Sequence, residues 1–390
     1  MNIESENIEE VVVEPEDNSS ITTEDNFNPS DIKVRTQPYT IAQVIDNLKH
    51  GEINMNTDFQ RLSNLWSDTK KSSFIESLLL NLPIPMFYFA EMAKRKWEVV
   101  DGLQRISTLK SFVIDETLKL TKLEFLTKFN DKTYSELKRE IQRSITDFPI
   151  TICIIEQGTP DFVKFNLFKR INQGGLVLEP QEIRHALNQG IAADVVADLV
   201  RAEDLIDPNG IILKSKTGEG IAFAKVTQWK IKSDRMQDRD FATRFISFYL
   251  IPYNKYEPDL DSFMNKGMGE IKKLSPDQID KLKSDFKKSM ELALEIFGED
   301  AFRKRNDIND KRKPINKALF EVLSVNFAKL SDNERGLLNN KKHILKSKLM
   351  DLHNNSDQRF YRSISQGTAK KDNVEQRFSD IEKIIRETLN

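Results

Sequence analysis

The sequence predicts an α+β protein, with a mixed α/β domain over residues 36–190 followed by a mostly helical domain over 191–390. Three observations predict it. Short apolar runs of strand character alternate with amphipathic helical patterns through the first domain. Past residue 190 the helical periodicity takes over almost completely. Residues 1–35, rich in Glu, Asp, Ser, Thr and Asn, have too few large apolar side chains to offset their ordering entropy, so a disordered acidic tail is expected there.

Order is expected from Pro38. Thr40 is placed to cap a helix on which Ile41, Val44, Ile45 and Leu48 share one face and which Gly51 ends. A short strand follows at 53–56. Ser67 or Asp68 opens a second helix, with Phe74, Ile75, Leu78, Leu79 and Leu82 on one side and Pro83 and Pro85 at its end. Residues 86–90 and 96–100 pair as a hairpin, and the second strand runs straight into Asp101-Gly102. A third helix starts at once, with Ile106, Leu109, Phe112 and Val113 facing inward.

Residues 149–156 read as a buried strand holding the single cysteine, Cys153, which leaves no internal disulfide and is assigned no chemistry. Thr159-Pro160 starts a helix through Phe162, Phe165, Phe168 and Ile171 that stops at Gly174-Gly175. Another helix covers 180–188. The rest is helical apart from loops expected near 207–220 and 252–269. A final stripe of Val374, Phe378, Ile381 and Ile385 is expected to pack into the core.

Charge gives a weak hint of a polyanionic partner. The formal net charge is −2, yet residues 1–30 hold nine acidic side chains and no Lys or Arg. The remainder carries 59 basic against 52 acidic groups, a net of +7, far short of the footprint of a dedicated DNA-binding protein. No 18 apolar residues run together and no signal-peptide pattern opens the chain, so no membrane partner is expected and the cytoplasm is the default compartment.

Two stretches hold residues suited to chemistry. In Asp101-Gly102-Leu103-Gln104-Arg105, a strand-to-helix junction offers backbone N–H groups to an anion, and Gly102 allows close approach. Arg105 matches two phosphate oxygens in one fork, Gln104 can orient a water, and Asp101 can contact a magnesium ion or accept a proton. On spacing alone, a bland turn is the commoner meaning of such a loop. The second stretch, Phe165 to Gly175, places Arg170, Asn172, Gly174 and Gly175 at a helix C-terminus, where a plain C-cap is the simpler explanation.

Taken together, the blocks resemble a known family. FQR at 59–61, ESLLLNLPIP at 76–85, DGLQRISTL at 101–109 and FKRINQGGLVLEPQEIRHA at 168–186 follow the order of the N-terminal domain of GmrSD-type modification-dependent restriction enzymes. A fifth similarity, from Arg235-Met236-Gln237-Asp238 to Arg244-Phe245, extends the resemblance over about residues 38–250. The resemblance implies a ParB/sulfiredoxin-like fold, in which the loop binds the phosphates of a nucleoside triphosphate with Mg2+ and its hydrolysis licenses action on DNA. It implies Asp101, Gln104 and Arg105 as catalytic, with Gln60, Arg61, Gly102, Arg170, Asn172, Gly174 and Gly175 around the phosphates.

Two features depart from the family pattern. Leu103 stands where a glutamine is usual, which removes one hydrogen-bonding group from the loop, and Trp66 follows Arg61 after four residues instead of three. The C-terminal half holds His343 and His353 but no paired histidine-metal motif, so they read as solvated, and cleavage would need either a partner, such as a separate nuclease or modification protein, or a carboxylate site that no motif marks. The basic stretch at Arg303-Lys304-Arg305 and Lys311-Arg312-Lys313 reads either as a solvated face or as phosphate contacts. Two functions remain open: a nucleoside triphosphatase of a DNA-defence system, or a non-hydrolysing module that senses nucleotide or DNA and recruits an effector. With no GxxxxGK[ST] sequence, ordinary P-loop hydrolysis is excluded.

Overall fold

A computed structural model describes residues 11–16, 33–55, 66–93, 96–171, 179–206 and 211–390. They divide between two units, one holding 33–171 and the other 11–16 with the residues from 179 onward.

The first unit is built on a five-stranded mixed sheet. Its elements are β1 (Val34–Thr40), α1 (Ile41–Lys49), β2 (Ile53–Asn54), α2 (Asp68–Leu79), β3 (Phe87–Ala93), β4 (Lys96–Asp101), α3 (Leu103–Leu109), α4 (Arg139–Thr146), β5 (Pro149–Ile155) and α5 (Asp161–Ile171). The strand order is β1-β5-β3-β4-β2. β1 with β5 and β3 with β4 are antiparallel, whereas β3 with β5 and β2 with β4 are parallel. β1 lies outside the expected elements because Pro38 interrupts its pattern. It is an edge strand, where a residue without an N–H is tolerated, and Pro38 pairs with Thr151.

Helix starts follow their capping residues. Thr40 and Gln43 form a capping box, the Thr40 amide reaching Gln43 Oε1 at 2.8 Å, and the Ser67 hydroxyl accepts the Lys70 amide at 3.4 Å. Period-2 alternation sends Phe87, Phe89, Ile152 and Ile154 into one core with Ile41, Val44, Ile75, Leu78, Ile106 and Leu109. On the opposite face Ala90, Val100, Cys153 and Ile155 are buried, and α5 packs against β4. Glu76, on α2, is buried for a specific reason: its carboxylate accepts the amides of Glu124, Phe125 and Leu126 at 3.1, 2.8 and 2.7 Å, pinning the irregular loop between α3 and α4. Leu82, expected on the α2 face, lies past the helix end and is exposed.

The second unit is almost all helix: α6 (Pro180–Leu187), α7 (Ile191–Val200), the short pair β6 (Leu205–Ile206) and β7 (Ile212–Lys214), α8 (Gly218–Val226), α9 (Gln237–Leu250), α10 (Leu260–Ile271), α11 (Pro276–Phe297), α12 (Lys317–Ala328), α13 (Asp332–Asn340), α14 (Lys342–Asn354), α15 (Arg359–Ser363) and α16 (Lys371–Leu389). An aromatic core joins Phe223, Phe241, Phe245, Phe286 and Phe320. The α16 stripe of Val374, Phe378, Ile381 and Ile385 is buried, as its spacing predicts. No helix among the described residues is long and apolar enough to cross a membrane.

Several expectations are corrected here. The loop expected at 252–269 contains α10, and its Gly267 is a packing residue, since a Cβ there would lie 2.2 Å from Ser247 Oγ. By its packing α6 groups with the helical unit, where Gln181, Glu182 and Arg184 are buried. Of the two histidines, only His343 is exposed; His353 is 1 % exposed, with Nδ1 at 2.7 Å from the Arg305 carbonyl. Arg303 and Lys304 are buried as well, so this stretch is not a uniformly solvated face.

The acidic tail also differs from expectation in the part that is described. Val13 bridges Ile315, with the Glu14 amide donating to the Ile315 carbonyl at 2.9 Å and the Ile315 amide to the Val12 carbonyl at 2.9 Å. Glu14 and Glu16 are ion-paired to Lys304 and to Arg244 and Lys317. Composition hides this segment because its order comes from partners some 230 to 300 residues away in sequence.

Candidate functional site

The loop at Asp101–Arg105 forms where the central β3–β4 hairpin hands the chain to α3. Gly102 is the residue that allows the turn. Its φ is +100°, and an added Cβ would lie 2.5 Å from Phe87 Cδ1 and 3.2 Å from Arg105 Nη2. α3 starts with no side-chain cap on its first amides.

Arg105 is turned inward. Its guanidinium donates to the carbonyls of Pro85 and of Met86, the latter at 3.2 Å, and to Asp101 Oδ2 at 2.8 Å, while lying 4.4 Å above the Phe87 ring. Burial lowers its pKa, the Asp101 carboxylate working in the opposite sense. An arginine 8 % exposed and spread over three oxygens holds the loop to the start of β3. The fork expected to grip phosphate is therefore engaged internally.

Asp101 and Gln104 occupy more open ground. The Asp101 side chain is one-third exposed, and only its Oδ2 meets Arg105. Gln104 is half-buried and its Oε1 accepts the Trp66 amide at 3.3 Å, so the displaced Trp66 contacts the loop directly. Leu103, also half-buried, adds no polar group between them.

One neighbour escaped the sequence reading. Strand register sets Thr36, Cys153, Tyr88 and Asp101 in a row across β1, β5, β3 and β4 on one face of the sheet. Burial raises the Tyr88 pKa, the Cys153 and Asp101 charges add to this, and Arg105 opposes it. The phenol thus stays protonated as a hydrogen-bonding group beside the Asp101 carboxylate. Burial likewise pushes the Cys153 thiol up, against a hydrogen bond with Thr36. The only hint in the sequence is the alternation of 86–90, which turns Tyr88 away from the core that holds Phe87 and Phe89.

The second stretch is only partly placed. Arg170 is exposed on the last turn of α5. Gln60, Arg61, Asn172, Gly174 and Gly175 lie outside the described residues. The 180–188 block is placed, and its polar side chains are structural. Gln181 donates to Thr243 at 2.8 Å, Arg184 pairs with Asp240 and Asp261 at 2.7 Å each, and Glu182 pairs with Arg235 at 2.7 Å.

Among the described residues no group of three or more His, Cys, Asp or Glu side chains could hold a metal ion. Asp101 supplies one carboxylate, which fits only a cation that keeps its waters and draws most of its oxygens from substrate phosphate, as Mg2+ does.

No curated protein and no solved structure matches the chain. A family model does match, that of the GmrSD restriction endonuclease N-terminal domain, over residues 41–188. It takes in α1 to α6, and with them the Asp101–Arg105 loop. Over residues 41–188 this chain is therefore similar to the GmrSD restriction endonuclease N-terminal domain.

Proposed function

We propose that the chain is a nucleotide-responsive, DNA-acting component of a restriction system, with the Asp101–Arg105 loop as its phosphate site. The observation that carries this reading is a partly exposed Asp101 carboxylate, anchored through one oxygen by a buried arginine, within a domain of restriction-enzyme type. Arg105 acts as a positioning residue that fixes Asp101 and the Gly102 turn. Asp101, Gln104 and the Gly102 backbone face the ligand, and Arg170 with Gln60, Arg61, Asn172, Gly174 and Gly175 are its further contacts, following the family pattern.

Magnesium bound with the nucleotide would supply charge neutralisation at the phosphates, with Asp101 as its protein ligand. Hydrolysis requires an oriented water, for which Gln104 is the candidate and Tyr88 an additional hydrogen-bond donor near Asp101. Leu103 favours a second reading, in which nucleotide binds without turnover and switches a separate nuclease or modification protein.

Phosphate release with a panel of nucleoside triphosphates, with and without DNA, separates the two. Turnover by the wild type that disappears in Asp101→Asn supports the enzyme. Thermal stabilisation by nucleotide without turnover supports the sensor, and neither effect with any nucleotide or DNA rejects both.

A further inference from the structure

The helical unit gathers a group of cationic side chains that the chain meets with two of its own carboxylates. Glu14 meets Lys304 Nζ at 2.5 Å and Asn316 Nδ2 at 3.0 Å, and one oxygen of Glu16 receives Arg244 Nη2 at 2.7 Å and Lys317 Nζ at 3.3 Å. The two side chains stand two residues apart, beside the bridge that Val13 makes with Ile315. Behind them runs a buried network in which Arg184, Arg244, Lys317 and Arg377 are paired with Asp240, Asp261, Glu321 and Glu16.

Without the segment, these named cations exceed their carboxylate partners by one in the network, and Lys304 loses its only carboxylate among the described residues. A buried cation left without its counter-charge is costly, so these side chains call for an anion. Glu16 is held ionised against its burial by Arg244 and Lys317. The segment itself is lightly attached. Val13 is its only side chain packed on the apolar core, and its main-chain link to the unit is the pair of hydrogen bonds with Ile315. Most of what holds it is charge, which another polyanion can replace.

We propose that Lys304, Asn316, Arg244 and Lys317 form a binding site for two successive phosphates of a phosphate chain, and that Glu14 and Glu16 occupy it until such a ligand displaces them. Each anion position already receives two convergent donors, Lys304 and Asn316 at the first and Lys317 with Nη2 of Arg244 at the second, the other Arg244 nitrogens being held by Asp240 and Glu321. The site is independent of the Asp101 loop and stands or falls separately from the function assigned there.

Amide hydrogen exchange on the full-length wild-type chain reads the displacement directly. Adding sodium tripolyphosphate should speed exchange at the Glu14 and Ile315 amides; unchanged protection up to millimolar tripolyphosphate, and with a single-stranded oligonucleotide, overturns the proposal. Anisotropy of a labelled oligonucleotide gives a second reading. E14Q/E16Q should bind it about tenfold more tightly at low salt, and adding K304Q and K317Q should remove the gain. Equal affinity of the double variant and the wild type, for the oligonucleotide and tripolyphosphate alike, contradicts the site. Gain for tripolyphosphate alone assigns a free polyphosphate or nucleotide, and gain for the oligonucleotide assigns a nucleic-acid backbone. Displacement by oligoglutamate of matched charge but by neither phosphate probe overturns the phosphate assignment in favour of an acidic peptide.

Discussion

Arg105 reaches back one helical turn to hold Asp101 at 2.8 Å, and the same guanidinium ties the loop to the Pro85 and Met86 carbonyls at the start of β3. The arginine that a linear motif offers as a phosphate clamp is therefore, in the folded domain, the residue that shapes the turn. Replacing it should damage stability as well as function. Arg105→Ala is expected to cost about 2–3 kcal/mol, since it removes a charged contact with the partly exposed Asp101 and strands two carbonyls. Arg105→Lys should recover only part of this, because one ammonium cannot span all three oxygens. Urea denaturation of the three proteins measures both.

Gly102→Ala should be costly as well. The φ of +100° alone is worth about 1–3 kcal/mol against a residue with a side chain, and the Cβ would also meet Phe87. Gly51, by contrast, has open space around its Cβ position at a φ of +65°, so Gly51→Asn should be nearly neutral. Thermal unfolding of the two variants should show the difference.

Glu76→Gln tests the clamp on the loop between α3 and α4. Burial raises the Glu76 pKa, but the Leu126, Glu124 and Phe125 amides together pull it below its usual value. A carboxylate depressed on folding contributes stability above its unfolded pKa and loses it as pH falls through the folded one. The wild type should therefore exceed Glu76→Gln by about 1–3 kcal/mol at neutral pH, with the gap closing below about pH 4. Chemical denaturation across that range checks it.

His353 predicts a pH dependence in a different window. Burial holds its pKa at about 4, with the nearby Lys304 and Lys313 charges acting in the same sense and the Arg305 carbonyl opposing. The unfolded chain thus takes up a proton that the folded one refuses, and stability falls as pH drops from about 6.5 toward 4. Asp238, raised to about 6 by burial, acts oppositely over part of this range, so the raw profile mixes the two. Comparison with His353→Gln isolates the histidine: the wild type should lose stability relative to the variant between pH 6.5 and 4, by about 3 kcal/mol at most.

Much of the first unit was legible because its signals are local. Thr40, Ser67 and the Asp101-Gly102 junction each announce a boundary through nearby residues, and the strands at 86–90 and 149–156 follow from apolar runs. What stayed hidden depends on distant partners. β1 contains a proline and is ordered by pairing with β5, more than a hundred residues later. Glu14 and Glu16 read as solvated acids until Arg244, Lys304 and Lys317 are brought to them. The same limit applies to the site: the sequence identified Asp101, Gly102 and Arg105 as a loop, but only the strand register adds Tyr88, and only the fold turns Arg105 inward.

Nucleotide binding in the proposed site depends on the Asp101 carboxylate, and Asp101→Asn isolates that charge while leaving an oxygen for Arg105. The most direct measurement is calorimetric titration of magnesium triphosphates into the wild type and into Asp101→Asn, alongside their unfolding temperatures. Binding to the wild type should weaken at least tenfold in the variant, with unfolding temperatures that stay close. Equal affinity in two equally stable proteins would contradict it.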